Sequence, residues 1–201
     1  MFMAVGILSA ASKSPAEKAI IKLTDGSTVE GFSRTYLGAT TKSFEISQTE
    51  TGPTTSYDID RIDRISVYSS DINRQTHFVV KQVYTTRNGD KTAKAFVRED
   101  YKGNGIGLYS LTSERMDPRG NRAVKVSFRI YYIQLGDDIA QMATMDPTGT
   151  LNPGVPNRRM CAKVFENKYP EFAERIQNKE FDMKASPIQA VKAWETTYAG
   201  K

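Results

Sequence analysis

The chain has one histidine, His77, and one cysteine, Cys161, among its 201 residues. Histidine is the usual proton shuttle near neutral pH, and cysteine is the most readily activated nucleophile. A structural zinc site uses about four ligands and a catalytic one about three, so these two side chains cannot build either. The sequence therefore argues against enzymes that depend on these residues, and we assign no catalytic, cofactor-binding or metal-ligating residue and expect no cofactor.

Long apolar runs and blocks of like charge are also lacking. No internal stretch approaches the ~18 apolar residues of a membrane-spanning helix, so we expect no transmembrane span. The composition, 39% hydrophobic and 25% charged, is ordinary for a folded protein. A chain of 201 residues can bury a real core without disulfide bonds.

The net charge is +5 with a sequence pI near 9.2, and the excess of positive charge lies in residues 71–145. Such a balance suits an acidic polymer, an anionic surface or nucleic acid as partner. Lys125 and Arg129, however, alternate with apolar residues as on the solvated face of a strand. This pattern favours a wet surface over a dedicated polyanion groove, so we do not expect nucleic acid as the partner.

The N-terminal segment Met1–Ala11 is apolar and closes on small residues, after which Ser12 begins a polar stretch. Ser9 and Ala11 have the small-x-small spacing of a signal-peptidase site. We therefore expect residues 1–11 to be a signal-peptide remnant and the protein to be periplasmic or secreted. A buried N-terminal strand is the alternative.

From Ala19 onward the hydrophobic pattern has period two and frequent turn signals, which predicts short strands. Asp25-Gly26 and Gly52-Pro53 are typical of hairpin turns. Between Ile59 and Ile65 an isoleucine recurs every third residue, which predicts one helical turn leading into a strand. A small, strongly bent barrel or a sandwich fits this order of elements.

The middle third continues as strands, and the glycines at 103, 105 and 107 predict a bulged turn rather than a phosphate loop, since no helix-forming sequence follows them. Residues 117–121 read as a polar loop. Val124–Tyr132 is the clearest strand, with valine, phenylalanine and isoleucine on its inner face. Its outer face, which carries Arg129, is a candidate for contact with a partner.

Three amphipathic helices are predicted near the C-terminus, after a connection rich in Pro, Gly and Asn. Pro170-Glu171 suits one helix start and Ser186-Pro187 another. Trp194 and Tyr198 lie on the apolar side of the last helix, where contact with the sheet is favoured over a ligand platform. The predicted class is α+β, an antiparallel β-rich body with a C-terminal helical segment. We divide the chain into 1–11, a body at 19–145 with 19–69 as a candidate small-barrel subunit, a loop at 146–157 and helices at 158–201.

The carboxylates form three sets: Asp58, Asp60 and Asp63; Glu99-Asp100; and Asp137-Asp138. A calcium loop of the helix-loop-helix type needs glycine at its sixth position, where Asp63 stands if Asp58 is the first. A glycan hydrolase would need two facing carboxylates, which sequence alone does not reveal, so that alternative stays open.

One resemblance covers about half the chain. The segment Leu23–Gly31, the isoleucine series up to Ile65 and the tail Tyr169–Phe181 resemble secreted or periplasmic proteins of unknown function common in the Bacteroidota. That resemblance implies export and residence in the cell envelope, and it brings no catalytic residues. The chain departs from the pattern at Tyr169, where a cysteine often precedes the proline.

A second resemblance is to the Sm-like RNA-binding barrels, whose first strands share the apolar-x-Asp-Gly-x-x-Val-x-Gly pattern of Leu23–Gly31. It implies that Arg61 and Arg64 contact phosphate. The second signature of that family is replaced here by Ile65–Tyr68. We therefore expect an exported, non-catalytic binding or scaffold module, whose partner is another envelope protein or an acidic polymer. The alternatives are a carboxylate-based hydrolase of envelope glycans and a nucleic-acid-binding barrel.

A chain that begins at Ser12 should melt within a few degrees of the full chain, because a signal-peptide remnant contributes nothing to the core. Thermal unfolding followed by circular dichroism measures this. A loss of several degrees, on the order of 1 kcal/mol or more, would place residues 1–11 in the core and contradict the export argument.

Overall fold

A computed structural model describes residues 15–69, 74–86, 89–119, 122–147, 154–183 and 186–199. Within these ranges it has ten strands and three α-helices, which confirms the predicted α+β class with a helical C-terminal segment. The strands are β1 Glu17–Leu23, β2 Thr28–Ser33, β3 Ser43–Ser47, β4 Thr54–Asp58, β5 Ile62–Ser69, β6 Arg74–Tyr84, β7 Thr92–Lys102, β8 Ile106–Arg119, β9 Arg122–Leu135 and β10 Gln141–Pro147. The helices are α1 Gly154–Glu166, α2 Pro170–Gln177 and α3 Ile188–Tyr198.

All ten described strands belong to one antiparallel sheet, in the order β10-β9-β8-β7-β6-β5-β1-β2-β3-β4. The hairpin at Asp25-Gly26 forms as predicted, with Gly26 at φ +87° and the Asp25 carboxylate accepting a hydrogen bond from Ser27 N. The Gly52-Pro53 hairpin joins β3 to β4. The predicted helical turn is a 3₁₀ turn, Ile59–Arg61, which the Asp58 side chain caps by accepting from Asp60 N.

The first half of the sheet curls on itself. In a flat sheet β3 and β5 would lie three strand spacings apart, about 14 Å. Phe44 and Ile46 of β3 nevertheless share one core cluster with Ile65 of β5, and Ile21 of β1 lies among them. Five consecutive strands therefore enclose a single apolar core.

The second half also curls. β6 and β10 are four strand spacings apart in the sheet order, about 19 Å if flat. Ala140, next to β10, nevertheless donates to Gln82 O and accepts from Tyr84 N, both at 3.1 Å. The enclosed face carries a second core cluster that includes Val83, Val97 and Ile130.

The three helices cover the outer face of β8, β9 and β10. Leu108 and Ile133 from the strands pack with Phe165, Phe172 and Val191 from the helices, all of them buried. The end of β9 is thus buried on both faces. Tyr131 shares a strand face with Arg129, the face expected to be solvated, but it is only 5% exposed because the helices lie over it.

The structure corrects two predicted loops. β8 runs to Arg119 and β9 begins at Arg122, so most of the 117–121 stretch is strand. β10 runs to Pro147 and α1 begins at Gly154, so both ends of the 146–157 stretch belong to regular elements. Beyond Ser110, β8 pairs with β9 but no longer with β7, and Met116 and Val124 there are exposed, so burial does not impose an apolar pattern on this part of the hairpin.

Residues 1–11, interpreted above as a signal-peptide remnant, lie outside the described residues. Among the described helices, none combines the length and apolar character that crossing a lipid bilayer requires.

Trp194→Ala should cost roughly 3 to 5 kcal/mol in the free energy of unfolding, because the indole is 4% exposed and packs in the helix-to-sheet core. Urea unfolding, followed by circular dichroism for both proteins, measures the difference. Thr196→Ala, an exposed change on the same helix, is the matched control and should cost far less. Equal stability of the tryptophan variant and the parent would mean that α3 is not an integral cover of the sheet.

Candidate ligand-binding cleft

The connection between β2 and β3, residues 34–42, leaves the first half of the sheet and reaches β8 in the second half. Ala39 N donates to Thr112 O of β8 at 3.1 Å, and Gly38 forms a bridge with the same residue. Thr41 holds this segment together, since its hydroxyl accepts from Gly38 N and donates to Tyr36 O. The segment therefore lies alongside β8, beyond the point where β7 stops pairing with that strand.

Between residues 33–37 and the strands β5 to β9 lies a cleft of about 520 Å³. We call it the arginine cleft. It is lined by Pro15, Glu17, Ser33, Arg34, Thr35, Tyr36, Leu37, Phe44, Val67, Thr76, Phe78, Arg98, Ser110, Leu111, Thr112 and Arg129.

Strand register explains how distant residues meet on the cleft floor. Phe78 of β6 lies opposite Arg98 of β7, and Arg98 lies opposite Ser110 of β8. Thr112 in turn lies opposite Arg129 of β9. Directly opposed residues of antiparallel strands share a face, so the floor runs from an apolar end on β6 to a cationic end on β9.

The lining carries three arginines against one carboxylate, Glu17. Arg98 is held by Asp100 two residues along, with 2.6 Å between Nε and Oδ1. The Nη1 of Arg34 donates to Glu50 O at 2.7 Å. A guanidinium has five N–H donors in a fork that matches carboxylate and phosphate oxygens, so this lining suits an anion.

Asp100, the partner of Arg98, has an unusual position on β7. β7 has a bulge between Glu99 and Tyr101, which places Asp100 out of register with β8. Its Oδ2 is buried and has no hydrogen-bond partner in the described part of the chain. Buried carboxylate oxygens are normally paired, so the pairing of Arg98 with Asp100 is retained at a cost to stability.

Apolar side chains form the other part of the lining. Leu37 and Phe44 belong to the core cluster of the first half, and Val67 and Phe78 pack against it. All four also border the cleft. A ligand there would contact an extension of the apolar core on one side and guanidinium groups on the other.

Five of the seven carboxylates singled out in the sequence pair with cations, and Asp58 caps the 3₁₀ turn. Asp60 pairs with Lys94, Asp63 with Lys22 at 3.8 Å, and Asp138 with Lys168 at 2.6 Å. Glu99 pairs with Arg64 at 3.5 Å, and Asp100 with Arg98 as above. Within the described ranges, no group of three or more His, Cys, Asp or Glu side chains comes together as a metal site would require.

The two residues that opened the sequence analysis lie outside the cleft. Cys161 is fully buried in the helical core, and burial raises the pKa of its thiol to about 12. His77 Nδ1 lies 3.0 Å from the hydroxyl of Ser66 on the neighbouring strand. A thiol with so high a pKa is not nucleophilic near neutral pH.

Burial also perturbs titratable groups on the opposite face of the sheet. It lowers the pKa of Lys81, whose ammonium lies 5.1 Å from the centroid of the Tyr109 ring. It raises the pKa of Tyr109, and that of Tyr132 to about 12. Since desolvation is the main cause in each case, these shifts reflect packing in the second core.

The glycines at 103 and 105 serve the docking of α3. A Cβ at Gly103 would lie 2.5 Å from Oε1 of Glu195, and Gly105 has φ +73° beside the Trp194 ring. Oε1 of Glu195 accepts a hydrogen bond from Asn104 N at 2.5 Å, and Oε2 accepts one from the hydroxyl of Tyr101. The turn therefore packs against α3, which agrees with the prediction of a turn and not of a phosphate loop at these glycines.

Trp194 and Tyr198 pack against the same ring, Tyr169, at centroid distances of 5.2 and 4.8 Å. Trp194 is almost fully buried. Rings so closely packed act as a helix-to-sheet contact, which is the interpretation that the sequence favoured.

The hydrogen bonds from Tyr101 and Asn104 lower the pKa of Glu195 below its ordinary value. A carboxyl group whose pKa is lower in the folded state stabilises the fold above its unfolded pKa, and this stabilisation is lost as pH falls through the folded value. Glu195→Gln should therefore lower the urea midpoint at pH 7, and the difference from the parent should vanish near pH 3. Glu166→Gln, exposed on α1, is the control. A difference that persists at low pH would contradict the role of the carboxylate charge.

The sequence alone did not indicate the arginine cleft. The strand pattern placed Arg129 on a face available to a partner, but no local pattern indicated that residues 34–37 would border the same cleft. Comparison of the chain with protein-family models, with curated proteins and with solved structures gave no match.

Proposed function

We propose that this protein is an exported, non-catalytic binding module of the cell envelope, and that its ligand occupies the arginine cleft. The observation that carries the proposal is the cleft itself, about 520 Å³ with an apolar wall and three guanidinium groups. Ligand sites in proteins are typically concave and partly apolar, with a few polar groups that orient the ligand. Export is proposed from the apolar segment Met1–Ala11 and from the resemblance described above.

The described side chains favour binding over carboxylate-based hydrolysis. Hydrolysis of a glycan needs one carboxyl group that can donate a proton and a second that faces it. Asp60, Asp63 and Asp138 are instead paired with lysines, and Glu99 and Asp100 with arginines. The cleft lining contributes a single carboxylate, Glu17.

The same side chains favour a cleft ligand over an RNA bound in the Sm-like manner. Arg61 lies over the ring of Tyr57, with its guanidinium carbon 5.7 Å from the ring centroid. Arg64 of β5 forms an ion pair with Glu99 of β7. The two arginines that would contact phosphate therefore already have partners within the protein.

Thr76→Trp should abolish ligand binding while leaving the fold intact. Thr76 is half-buried on a strand and borders the cleft, so an indole there fills the cleft instead of the core. The test is a thermal-shift screen of small acids, bases and neutral compounds. Compounds that raise the melting temperature of the parent should have no effect on this variant.

Thr92→Trp, at an exposed strand position outside the cleft, is the matched control and should respond like the parent. If every compound that stabilises the parent also stabilises Thr76→Trp equally, the ligand site lies elsewhere and the proposal is wrong.

A further inference from the structure

We infer that the arginine cleft takes a small amphipathic anion, with an apolar body and a carboxylate or phosphate head. The inference deepens the proposed function and rests on it, since it assumes that the cleft is the ligand site. It adds the chemical class of the ligand and the position of its head.

The head is assigned to the β9 end of the floor. Arg129 lies there, opposite Thr112 of β8 and opposite Asp146 of β10 in the strand register, and Thr112 is a second polar residue that borders the cleft. Guanidinium binds carboxylate and phosphate through two parallel hydrogen bonds, which fixes orientation as well as affinity. Asp100 already holds Arg98, so Arg129 is the cation we assign to the head.

The body is assigned to the other end. Phe78 and Val67 lie on β6 and β5, Leu37 comes from the curled first half, and Phe44 lies fully buried behind them. From β6 to β9 the floor spans three strand spacings, about 14 Å. An extended medium-length acyl chain has a comparable length, so both ends of such a molecule can be satisfied at once.

The charge balance disfavours the opposite ligand. An organic cation would meet three lining arginines, of which Asp100 neutralises only Arg98, and a single lining carboxylate, Glu17. Like charges repel more strongly in a partly buried cleft than in open solvent. A purely apolar ligand would leave the guanidinium groups desolvated without a partner, which is also unfavourable.

Calorimetry tests the inference on the full chain with three probes of one chain length: decanoate, decanol and decyltrimethylammonium. Decanoate should bind, and the ammonium should not. Arg129→Met keeps the length and apolar character of the side chain but removes its charge, so it should weaken decanoate binding by about tenfold or more. Arg159→Met, exposed on α1, is the matched control and should bind as the parent does.

Val67→Thr keeps the side-chain volume but places a hydroxyl in the apolar part of the cleft, and it should weaken decanoate several-fold. Because it leaves every arginine in place, it tests the body if Arg129→Met fails to fold. Dihexanoyl phosphatidylglycerol, a soluble lipid with a phosphate head, is titrated beside decanoate. Tighter binding of the lipid would identify a phospholipid as the source of the anion, and tighter binding of decanoate a free acid.

Three outcomes distinguish failure of the inference from failure of the proposed function. If decanol or the ammonium binds as tightly as decanoate and Thr76→Trp removes that binding, the cleft is a ligand site but the anion is wrong. If decanoate binds the parent, Arg129→Met and Thr76→Trp equally, the cleft is not the site and both proposals are wrong. Absence of binding by decanoate and by the lipid overturns the inference alone, provided that the thermal-shift screen finds another cleft ligand.

Discussion

The structure depends on one constraint, the continuity of a single antiparallel sheet through all ten described strands. Strands twist, and a sheet of this width curls unless something holds it flat. Here it curls twice, once around Phe44 and Ile65 and once around Val97 and Ile130. The two curls turn about different centres, so the face between them has no partner sheet. The arginine cleft lies on that face, and residues 34–37 line one side of it.

The helices cover apolar side chains on the outer surface of the sheet, which the two curls do not bury. Leu108 and Ile133 would lie in water if the sheet stood alone, and α1, α2 and α3 cover them. The last helix is located by specific contacts as well as by apolar area, because Glu195 fits against the backbone of Gly103 and Asn104. A hydrophobic stripe alone would permit several orientations of α3. A carboxylate that reaches one backbone N–H selects one of them.

Much of the fold followed from local patterns. Asp25-Gly26, Gly52-Pro53 and the isoleucines from Ile59 to Ile65 each predicted the turn that is found, because positive φ, a fixed proline φ and a three-residue period are local properties. The end of β9 was misjudged at Tyr131, since its second face is covered by helices more than twenty residues away in sequence. The cleft was missed for the same reason. Strand register brings Arg98 and Arg129 to one face, and the long β2–β3 connection adds residues 34–37 to the cleft. Neither feature leaves a signature in a short window of sequence.

The polar floor of the cleft separates two apolar core clusters. On one face of the sheet, Phe78 belongs to the margin of the first core and Tyr131 to the core under the helices. Register places Arg98 and Ser110 between them, in line across the strands. Apolar residues at these two positions would join the clusters into one core, whereas Arg98 is accompanied by Asp100, whose buried Oδ2 has no partner among the described residues. Groups that break local consistency at a cost to stability are expected where a protein binds something. The gap between the two cores therefore supports the cleft as the binding site more directly than its volume does.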